Sequence, residues 1–432
     1  MHRGPDLVSM DRRTWLRVSG AAATAAALPF LFQRHVGGAQ PRSPLVRDPR
    51  GILDLSAGLE YRVLERAFDP MTDGYRVPAA PDVMACFPGP NDTWVLMRNH
   101  ELDRNLALGA FRGKPARESY DARAAGGVTR VVIDAKTGAR VSSNLVLAGT
   151  LRNCAGGPSP WGWISCEETT EPGHGYAFLC ATSAERVAPA RRLTGYGRFR
   201  HEAAAVDPKT SIAYLTEDQG DGCVYRFVPK HPRDPFVGQL QALCHANEQN
   251  FALSSALQTG HSIPVRWVDI TDPTPKSDSV RHEAARAGAA SLSRGEGIWF
   301  ADQTVWICST DGGGAGTGQI FALDVGQGKA ANTLRLVVES PGPSVLDMPD
   351  NITVAPWGDV IVAEDGAGEK YVRAITPQGQ VIDLARNAKS HGEFAGVCFS
   401  PDGSTLFLNL QIDGLTLAVR GTFPHPPPTR RG

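Results

Sequence analysis

Six segments of the chain repeat one format, and this repeat constrains the fold more than any other feature of the sequence. Each segment opens with polar residues, continues into a short apolar strand, turns, runs through a second apolar strand and closes on polar residues. Short apolar runs bounded by Gly, Pro, Asn and Asp are typical of antiparallel hairpins. The six segments are residues 81–101, 152–168, 200–218, 294–311, 348–365 and 392–411.

The repeat predicts an all-β fold, namely a six-bladed β-propeller with inserted loops. Radial repetition of small antiparallel sheets leaves only short, protected edges. Other strand-like runs, at 175–182, 223–229, 319–325 and 371–377, would complete the blades. The stretch 229–293 contains several Pro, Ser and His residues and is interpreted as an insertion. A pair of β-sandwiches is the alternative fold, but it does not explain the repeated polar ends.

The composition gives no sign of a nucleic-acid partner or a membrane surface. The chain has 432 residues, with 45 acidic and 44 basic side chains and a net charge of −1, so neither sign dominates. Its eight Cys would permit disulfides in an exported protein. A chain this long can also bury an adequate core without them, so the pairing stays open.

The N-terminus has the pattern of an export signal. Arg12 and Arg13 form a twin-arginine motif, and an Ala-rich apolar run follows from Ala21 to Phe32. That run is short for a membrane span and has the shape of a signal h-region. We therefore predict a twin-arginine signal peptide at 1–39, cleaved after Ala39, and a single propeller domain at 40–432. The Tat translocon would be a partner during export, and the mature protein would be periplasmic or extracellular without a stable membrane anchor. An uncleaved N-terminal anchor is the alternative.

The polar ends of the six hairpins are expected to meet at one mouth of the propeller channel. In a hairpin, the start of the first strand lies beside the end of the second. The opening groups would be Asp82, Asn153, Glu202, Glu296, Asp350 with Asn351, and Glu393. The closing groups would be Asn99 with Glu101, Cys166 with Glu167 and Glu168, Glu217 with Asp218, Asp311, Glu364 with Asp365, and Asn409 with Gln411.

So many carboxylates around one mouth would raise one another's pKa values, and cations would neutralise them. Oxygen-rich clusters favour hard ions, with Ca²⁺ first. A single acid at a strand end usually caps a turn or faces water. The shared position in six repeats is what favours a metal site.

Cys166 and Arg294 add two other chemistries. A thiolate is a soft ligand and indicates a metal besides calcium, although Cys166 could equally be a small core residue. Strand alternation directs Cys166 and Glu167 to opposite faces, unless a turn begins at Cys166. Arg294 could pair with an acid, or its planar fork could bind phosphate oxygens.

Several motifs, in this order along the chain, resemble the PhoX family of alkaline phosphatases. The likeness covers nearly the whole mature chain. The motifs are Asn99-His100-Glu101, NCAGGPSPWGWISCEE from Asn153, GRFRHEAAAVDP from Gly197, YLTED from Tyr214, RGEG from Arg294, DMPDN from Asp347, AED from Ala363 and EFAGVCFSPDG from Glu393.

The resemblance implies twin-arginine export, a propeller fold and hydrolysis of phosphate monoesters, with diesters as a second class. It also implies an iron and calcium cluster, Fe³⁺ and Ca²⁺, in which a cysteine thiolate bridges two ferric ions. On this chain the resemblance makes Cys166 the bridging thiolate and Glu167 an iron ligand. Further candidate metal ligands are Glu202, Glu296, Asp350, Glu364 and Glu393, and candidates for holding the phosphate are Arg294 and Asn153.

The expected substrate is a small phosphoester, and we expect a monomer. The chain departs from the family pattern in being short and in having Val83 after Asp82, where Gly is usual. These departures bear on the substrate range. Two other functions stay open: a calcium-dependent lactonase or esterase, and a non-enzymatic binding propeller stabilised by calcium. The lactonase site needs neither a thiolate nor a phosphate-binding arginine, so Cys166 and Arg294 discriminate against it. Colour and iron content would test the binding propeller.

Overall fold

The computed structural model describes residues 44–111, 115–231, 233–325, 332–377 and 379–424. The signal peptide predicted for 1–39 and residues 40–43 of the predicted domain lie outside the described residues. Helical structure in these ranges is limited to α1 (Leu253–Ala256), α2 (Val280–Arg286) and a 3-10 turn at Thr194–Tyr196. The all-β prediction is therefore confirmed. Within the described ranges, the structure contains no helix with the length and apolarity needed to cross a membrane.

The strands of the described ranges are numbered in chain order. They are β1 (Leu53–Leu55), β2 (Leu59–Arg66), β3 (Pro81–Pro88), β4 (Thr93–His100), β5 (Gly126–Asp134), β6 (Arg140–Thr150), β7 (Asn153–Ser159), β8 (Gly162–Glu167), β9 (Ala177–Cys180), β10 (His201–Val206), β11 (Ala213–Glu217), β12 (Val224–His231), β13 (Asp234–His245), β14 (Ser262–Asp269), β15 (Gly295–Ala301), β16 (Thr304–Ser309), β17 (Gln319–Asp324), β18 (Thr333–Glu339), β19 (Pro349–Val354), β20 (Val360–Glu364), β21 (Tyr371–Ile375), β22 (Val381–Asn387), β23 (Phe394–Phe399), β24 (Thr405–Leu410) and β25 (Leu415–Gly421).

These strands form five antiparallel sheets in a propeller-like arrangement. Three sheets have the orders β3-β4-β5-β6, β7-β8-β9 and β2-β25-β24-β23. A five-stranded sheet has the order β1-β22-β21-β20-β19, and the largest sheet has nine strands. All six predicted hairpins occur as antiparallel pairs: β3–β4, β7–β8, β10–β11, β15–β16, β19–β20 and β23–β24.

The nine-stranded sheet is the main difference from six separate blades. Its order is β10-β11-β12-β13-β14-β18-β17-β16-β15. Strand β14 pairs with β13 on one side and with β18 on the other, which joins two four-stranded groups at their outer edges. The stretch 229–293, which the sequence analysis treats as an insertion, thus contains the ladder strands β13 and β14. The first and last strands of this sheet, β10 and β15, contact each other.

The first strands of the six hairpins form an inner ring. Strands β3, β7, β10, β15, β19 and β23 each contact the next in this order, and β23 contacts β3. Because the sheets pack face to face, several strands are buried on both sides: every residue of β8, β11 and β20 is buried. Apolar clusters fill the spaces between successive groups of strands. The strands of the ring therefore start at a common opening.

Strands from the N-terminal part of the chain complete the last two sheets. Strand β1 pairs with β22, and β2 pairs with β25. Strand β2 also carries Glu65, whose carboxylate lies 2.7 Å from the guanidinium of Arg98 on β4. Both side chains are fully buried. This ion pair connects the strand that completes the sheet of β23–β25 to the neighbouring sheet of β3–β6.

Candidate active site

The six inner hairpins share one backbone feature at their polar ends. The residue after the second strand donates its N–H to the carbonyl oxygen of the residue just before the first strand. These bonds run from Glu101, Glu168, Asp218, Thr310, Asp365 and Gln411 to Ala80, Arg152, Arg200, Arg294, Met348 and Glu393, at N···O distances of 2.9–3.3 Å. The two sets are called the closing position and the rim position, respectively.

A register shift follows the first pair in five of these hairpins and the second pair in β23–β24. Such a bulge redirects the side chain that it carries. We call the second residue of each first strand the inner position. Its occupants are Asp82, Cys154, Glu202, Glu296, Asp350 and Ala395. Equivalent backbone positions thus bring four carboxylates and a thiol to the start of the inner strands.

Three inner carboxylates form a cluster with the geometry of a metal site. Ligand atoms of Glu202, Glu296 and Asp350 all lie within 4.8 Å of one another. Asp82 lies close by, since its pKa is affected by Asp350. Carboxylate oxygens at this spacing are the ligands that hard cations prefer.

Burial and mutual repulsion raise the pKa values of this cluster. The pKa of Glu296 is well above its usual value, first through burial and then through Glu202 and Asp350. Burial and Asp365 raise the pKa of Asp350 to about 8. Burial, Asp365 and Asp350 raise that of Glu393, at the rim position, to about 10. The acids are thus too close together to be ionised at neutral pH unless cations compensate them, and the donor set fits metal ions.

The closing position adds a second layer of acids. Glu101 accepts a hydrogen bond of 3.0 Å from Gln411, which also donates to Asp82 over 3.1 Å. Burial raises the pKa of Glu101 to about 7, although Arg152 opposes the shift. Asp365 interacts with Glu393, which links the closing and rim positions of successive hairpins. Acidic side chains therefore continue from the inner position to the surface of the mouth.

Three consecutive rim positions hold arginines. The Nε and Nη2 atoms of Arg294 donate to Asp218 over 2.9 and 3.2 Å, and Nη2 donates to Glu296 over 2.7 Å. Arg152 contacts Glu101 at 3.0 Å and Glu168, and Arg200 donates to Glu168 over 2.7 Å. Each guanidinium is partly exposed. One half of the rim is therefore basic, while Met348, Glu393 and Ala80 occupy the other half.

The left-handed backbone at Arg152 and Arg294 is part of the repeat. Their φ angles are 47° and 42°, and the rim residues Ala80 and Met348 have φ of 44° and 51°. Such angles cost a residue with a side chain on the order of 1 kcal/mol and persist where the surroundings impose them. The carbonyl oxygen of each of these four residues accepts the common bond at the rim.

The structure brings Glu202, Glu296, Asp350 and Glu393 of the predicted ligands together, with Arg294 beside them. It places the other four predicted residues, Asn153, Glu167, Glu364 and Cys166, differently. Asn153, predicted to hold phosphate, donates to Ser165 Oγ in its own sheet and accepts from Thr150 Oγ1 at the end of β6 in the neighbouring sheet.

Glu167 and Glu364 are the last residues of β8 and β20, and their carboxylates lie within the protein. Glu167 accepts from the N–H groups of Leu151 and Gly175, each at 2.9 Å, and contacts His174 at 2.6 Å. Glu364 accepts from the Asp347 N–H and from Arg373 Nε, at 2.9 and 2.8 Å. Both carboxylates are thus turned inward, and the following acids, Glu168 and Asp365, contact rim residues.

Two cysteines of this region, Cys166 and Cys154, have different surroundings. Cys166 is fully buried in an apolar cluster with Ile164, Ala177 and Phe199, and burial, Glu202 and Glu167 raise the pKa of its thiol. Cys154 occupies an inner position. Burial raises its pKa, and so do four acids of the mouth: Glu202, Glu168, Asp82 and Glu101. All eight cysteines lie in the described ranges as free thiols.

The sequence predicts the polar ends, and in several adjacent pairs the structure places the neighbour of the predicted residue closer to the mouth. Asp82, Glu101, Glu168, Asp218 and Asp365 were all included among these ends and were not chosen as ligands. Cys154 was missed. Aligning Asn153-Cys154 with Pro81-Asp82 and His201-Glu202 would have found it, since each pair begins an inner strand. The arginines at 152 and 200 could be found likewise, because each stands two residues before an inner position.

An open cleft of about 570 Å³ lies over the basic half of the rim. It is lined by Arg152, Glu168, Thr169, Thr170, Glu171, Arg200, Gln219 and Asp278. The carbonyl oxygen of Gln219 accepts the N–H of Arg294 at 2.8 Å, which places the cleft beside that arginine. The cleft and the carboxylate cluster are thus neighbours.

Comparison with known proteins agrees with the motifs. A family model described as alkaline phosphatase PhoX matches residues 41–414. The structure of Pseudomonas fluorescens PhoX with vanadate, a transition-state analogue, superposes with a TM-score of 0.69 at 16% identity, covering 88% of this chain and 97% of that chain. At this identity the likeness shows a shared fold.

Other structures are more distant. A Xanthomonas campestris gluconolactonase gives a TM-score of 0.45 at 13% identity, covering 89% of this chain and 99% of that one. An Agrobacterium tumefaciens regucalcin, a calcium-binding protein, gives 0.40 at 13%, covering 84% and 96%. No curated protein matches the chain.

Proposed function

Because the chain belongs to the alkaline phosphatase PhoX family, we propose that it hydrolyses phosphate monoesters at the mouth of the inner hairpins, using metal ions held by the carboxylates there. Family membership makes the chain an enzyme of the phosphatase class. The proposal adds the kind of ester and the ions. Its main support is the cluster of Glu202, Glu296 and Asp350, with Arg294 in contact with Glu296.

The residues of the mouth fit two kinds of cation. Glu202, Glu296 and Asp350 would hold one part of the cluster, and Asp82, Glu101, Asp365 and Glu393 another. Calcium suits positions that only carboxylate oxygens surround. Ferric iron suits a part that includes a thiolate, and we propose Cys154 for this role in place of Cys166, since Cys154 lies at an inner position among acids.

The ions, when bound, would offset the charge of the acids and polarise the phosphoryl oxygens as Lewis acids. Arg294 would bind phosphoryl oxygens through the Nη1 side of its planar fork, which its hydrogen bonds to Asp218 and Glu296 do not use. Asp218 holds the guanidinium by two hydrogen bonds of 2.9 and 3.2 Å, so the fork is oriented before substrate arrives. A fixed donor of this kind stabilises developing negative charge without reorganisation.

We also infer that the propeller has six blades, with the nine-stranded sheet counted as two. The groups β10–β13 and β15–β18 would each be a blade, and β14 would join their outer edges. The ring of six inner strands and the six equivalent rim bonds support this count.

Export by the twin-arginine pathway is proposed on the Arg12-Arg13 motif, which lies outside the described residues. Replacing both by Lys should retain the precursor in the cytoplasm, as cell fractionation would detect. A normal rate of appearance in the periplasm would contradict the proposal.

The function is tested with protein purified without chelator. We expect calcium and iron by elemental analysis and hydrolysis of p-nitrophenyl phosphate, with bis(p-nitrophenyl) phosphate as the diester comparison. Arg294→Gln should lower kcat/KM on the monoester by about 100-fold, the usual effect of removing a charge-stabilising donor. The exposed Arg186 provides a matched control, Arg186→Gln. Metal-loaded wild-type protein that releases no phosphate would refute the proposed function.

A further inference from the structure

We propose that the cleft beside Arg294 is a subsite for a second anionic group of the substrate, bound by Arg152 and Arg200. This subsite presupposes the proposed phosphatase function and narrows its substrate class. Favoured substrates would carry a carboxylate or another phosphate near the scissile ester. Such groups share the chemistry of planar or tetrahedral oxyanions, which guanidinium forks bind in two-point contacts.

The position of the two arginines in the repeat carries the first part of the case. Arg152, Arg200 and Arg294 occupy the rim positions of three consecutive hairpins, each immediately before an inner strand. Arg294 faces the carboxylate cluster through Glu296, whereas Arg152 and Arg200 line the cleft. A substrate whose phosphate lies at Arg294 would thus extend its remaining part toward two more guanidinium groups.

The hydrogen bonds of Arg200 leave it available for a ligand. Its Nη2 donates to Glu168 over 2.7 Å. Its Nε–H is buried and has no hydrogen-bond partner among the residues that the structure describes. A buried donor without a partner is rare and calls for an explanation. Arg200 also lines the cleft, so an oxyanion bound there would lie beside this guanidinium.

Charge in the cleft also favours an anion. Two of its acids are each paired with an arginine outside the lining: Glu171 with Arg104 at 2.6 Å, and Asp278 with Arg281 at 2.7 Å. Glu168 lies between Arg152 and Arg200, and Glu101 contacts Arg152. Glu101 and Glu168 border the proposed metal cluster, so cations bound there would be partly balanced by the negative charge of these two acids. The positive charge of Arg152 and Arg200 would then be less fully balanced.

Arg198 fixes the walls of the cleft. This buried side chain donates to the carbonyl oxygens of Glu171 and His174 in one loop, both at 2.9 Å. It also donates to Pro275 in the loop that leads to Asp278, at 3.1 Å. Both loops carry lining residues of the cleft, Glu171 in one and Asp278 in the other. The cleft is therefore a built feature, with Arg198 as a positioning residue.

The test compares two substrates with the same carbon skeleton. Glycerol 3-phosphate has a neutral end where 3-phosphoglycerate has a carboxylate, and pyrophosphate provides a second phosphate. For the metal-loaded wild-type enzyme, kcat/KM should be higher for 3-phosphoglycerate or pyrophosphate than for glycerol 3-phosphate. The ratio of kcat/KM for either of these two substrates to kcat/KM for glycerol 3-phosphate measures the preference. Arg200→Gln should lower this ratio by about 10- to 100-fold, as expected for losing a hydrogen bond between charged groups. Arg200→Lys should restore part of it, and Arg186→Gln should leave it unchanged.

The outcomes separate this subsite from the proposed function. Release of phosphate from all three substrates with no preference, or an equal loss on all three in Arg200→Gln, would overturn the subsite and leave the phosphatase intact. A fall in the ratio for pyrophosphate alone or for 3-phosphoglycerate alone would support the subsite and identify which anion it takes. A wild-type enzyme that hydrolyses none of them would refute the proposed function itself.

Discussion

Adjacent residues at the end of a second strand have different roles in this protein. Glu167 ends β8 and accepts backbone N–H groups within the protein, while Glu168 contacts two arginines at the mouth. Likewise, Glu364 contacts the buried Arg373, whereas Asp365 interacts with Glu393 at the rim. Because successive side chains of a strand alternate between its faces, a shift of one residue moves a carboxylate from the interior to the mouth.

The cysteines provide a test at this scale. We expect Cys154→Ser to lose iron and most activity while it stays folded, because a hydroxyl replaces a soft thiolate poorly. Cys166→Ser should keep its iron and lose about 1–3 kcal/mol of unfolding free energy, since it places a hydroxyl among apolar side chains. Iron per chain and thermal unfolding are measured for both variants. Full iron content in Cys154→Ser, or its loss in Cys166→Ser, would restore Cys166 to the site.

At the scale of strands and sheets, the local part of the fold could be predicted and the distant pairing could not. The six hairpins follow from short apolar runs and turn residues close together in sequence. One example is Asp302-Gln303, whose positive φ angles, 45° and 65°, form the two-residue turn between β15 and β16. The pairing of β14 with β18 joins strands about 70 residues apart, and no local pattern specifies such a partner.

The same difference between local and distant contacts decides which site residues the sequence could predict. Spacing placed Glu202, Glu296 and Asp350 at equivalent strand starts, so their convergence could be expected. The same alignment of strand starts includes Cys154, although the bulge beside it is seen only in the register of β7 and β8. The sequence does not show whether an acid at a strand end points into the interior or to the mouth. It therefore predicts Glu167 and Glu364 as ligands as readily as their neighbours Glu168 and Asp365.

Strand β2 provides a prediction at the scale of one element. Burial alone would raise the pKa of Glu65, but Arg98, Ser143 and Arg140 together lower it below its usual 4.5. Glu65→Gln leaves the buried Arg98 without its charge partner and should cost about 3–5 kcal/mol of unfolding free energy near pH 7. Glu60→Gln, at an exposed position of the same strand, should change little.

The pH dependence of this pair has a definite sign. A carboxyl whose pKa is lowered by folding contributes stability above its unfolded pKa, and loses it as the pH falls through the folded value. The difference in melting temperature between wild type and Glu65→Gln should therefore be constant above pH 4.5 and shrink below it. A difference that persists unchanged into strong acid would mean that Glu65 acts by packing and not by charge.

For the whole molecule, the acids of the mouth couple stability to metal binding. The ring of inner strands closes around them, so their repulsion acts on the contacts between all six hairpins. Cations that bind only the folded state stabilise it by mass action. An enzyme with such a mouth should be considerably less stable after chelation, and its activity and its melting temperature should recover together when the metals return.

The pH dependence of the metal-free protein should be opposite to that of the Glu65 pair. Folding raises the pKa of Asp350 from 3.8 to about 8 and that of Glu393 from 4.5 to about 10, through burial and the neighbouring acids. Between these values the unfolded chain has released protons that the folded chain retains, so the unfolding free energy falls as the pH rises from about 4 to about 10. Chelated protein should therefore melt at a lower temperature at pH 9 than at pH 6, and Asp350→Asn should reduce this slope. Metal ions bind the ionised carboxylates, so the stabilisation by added calcium should increase over the same range. Equal melting temperatures of the chelated protein at pH 6 and pH 9 would mean that these acids are not held together as the structure places them.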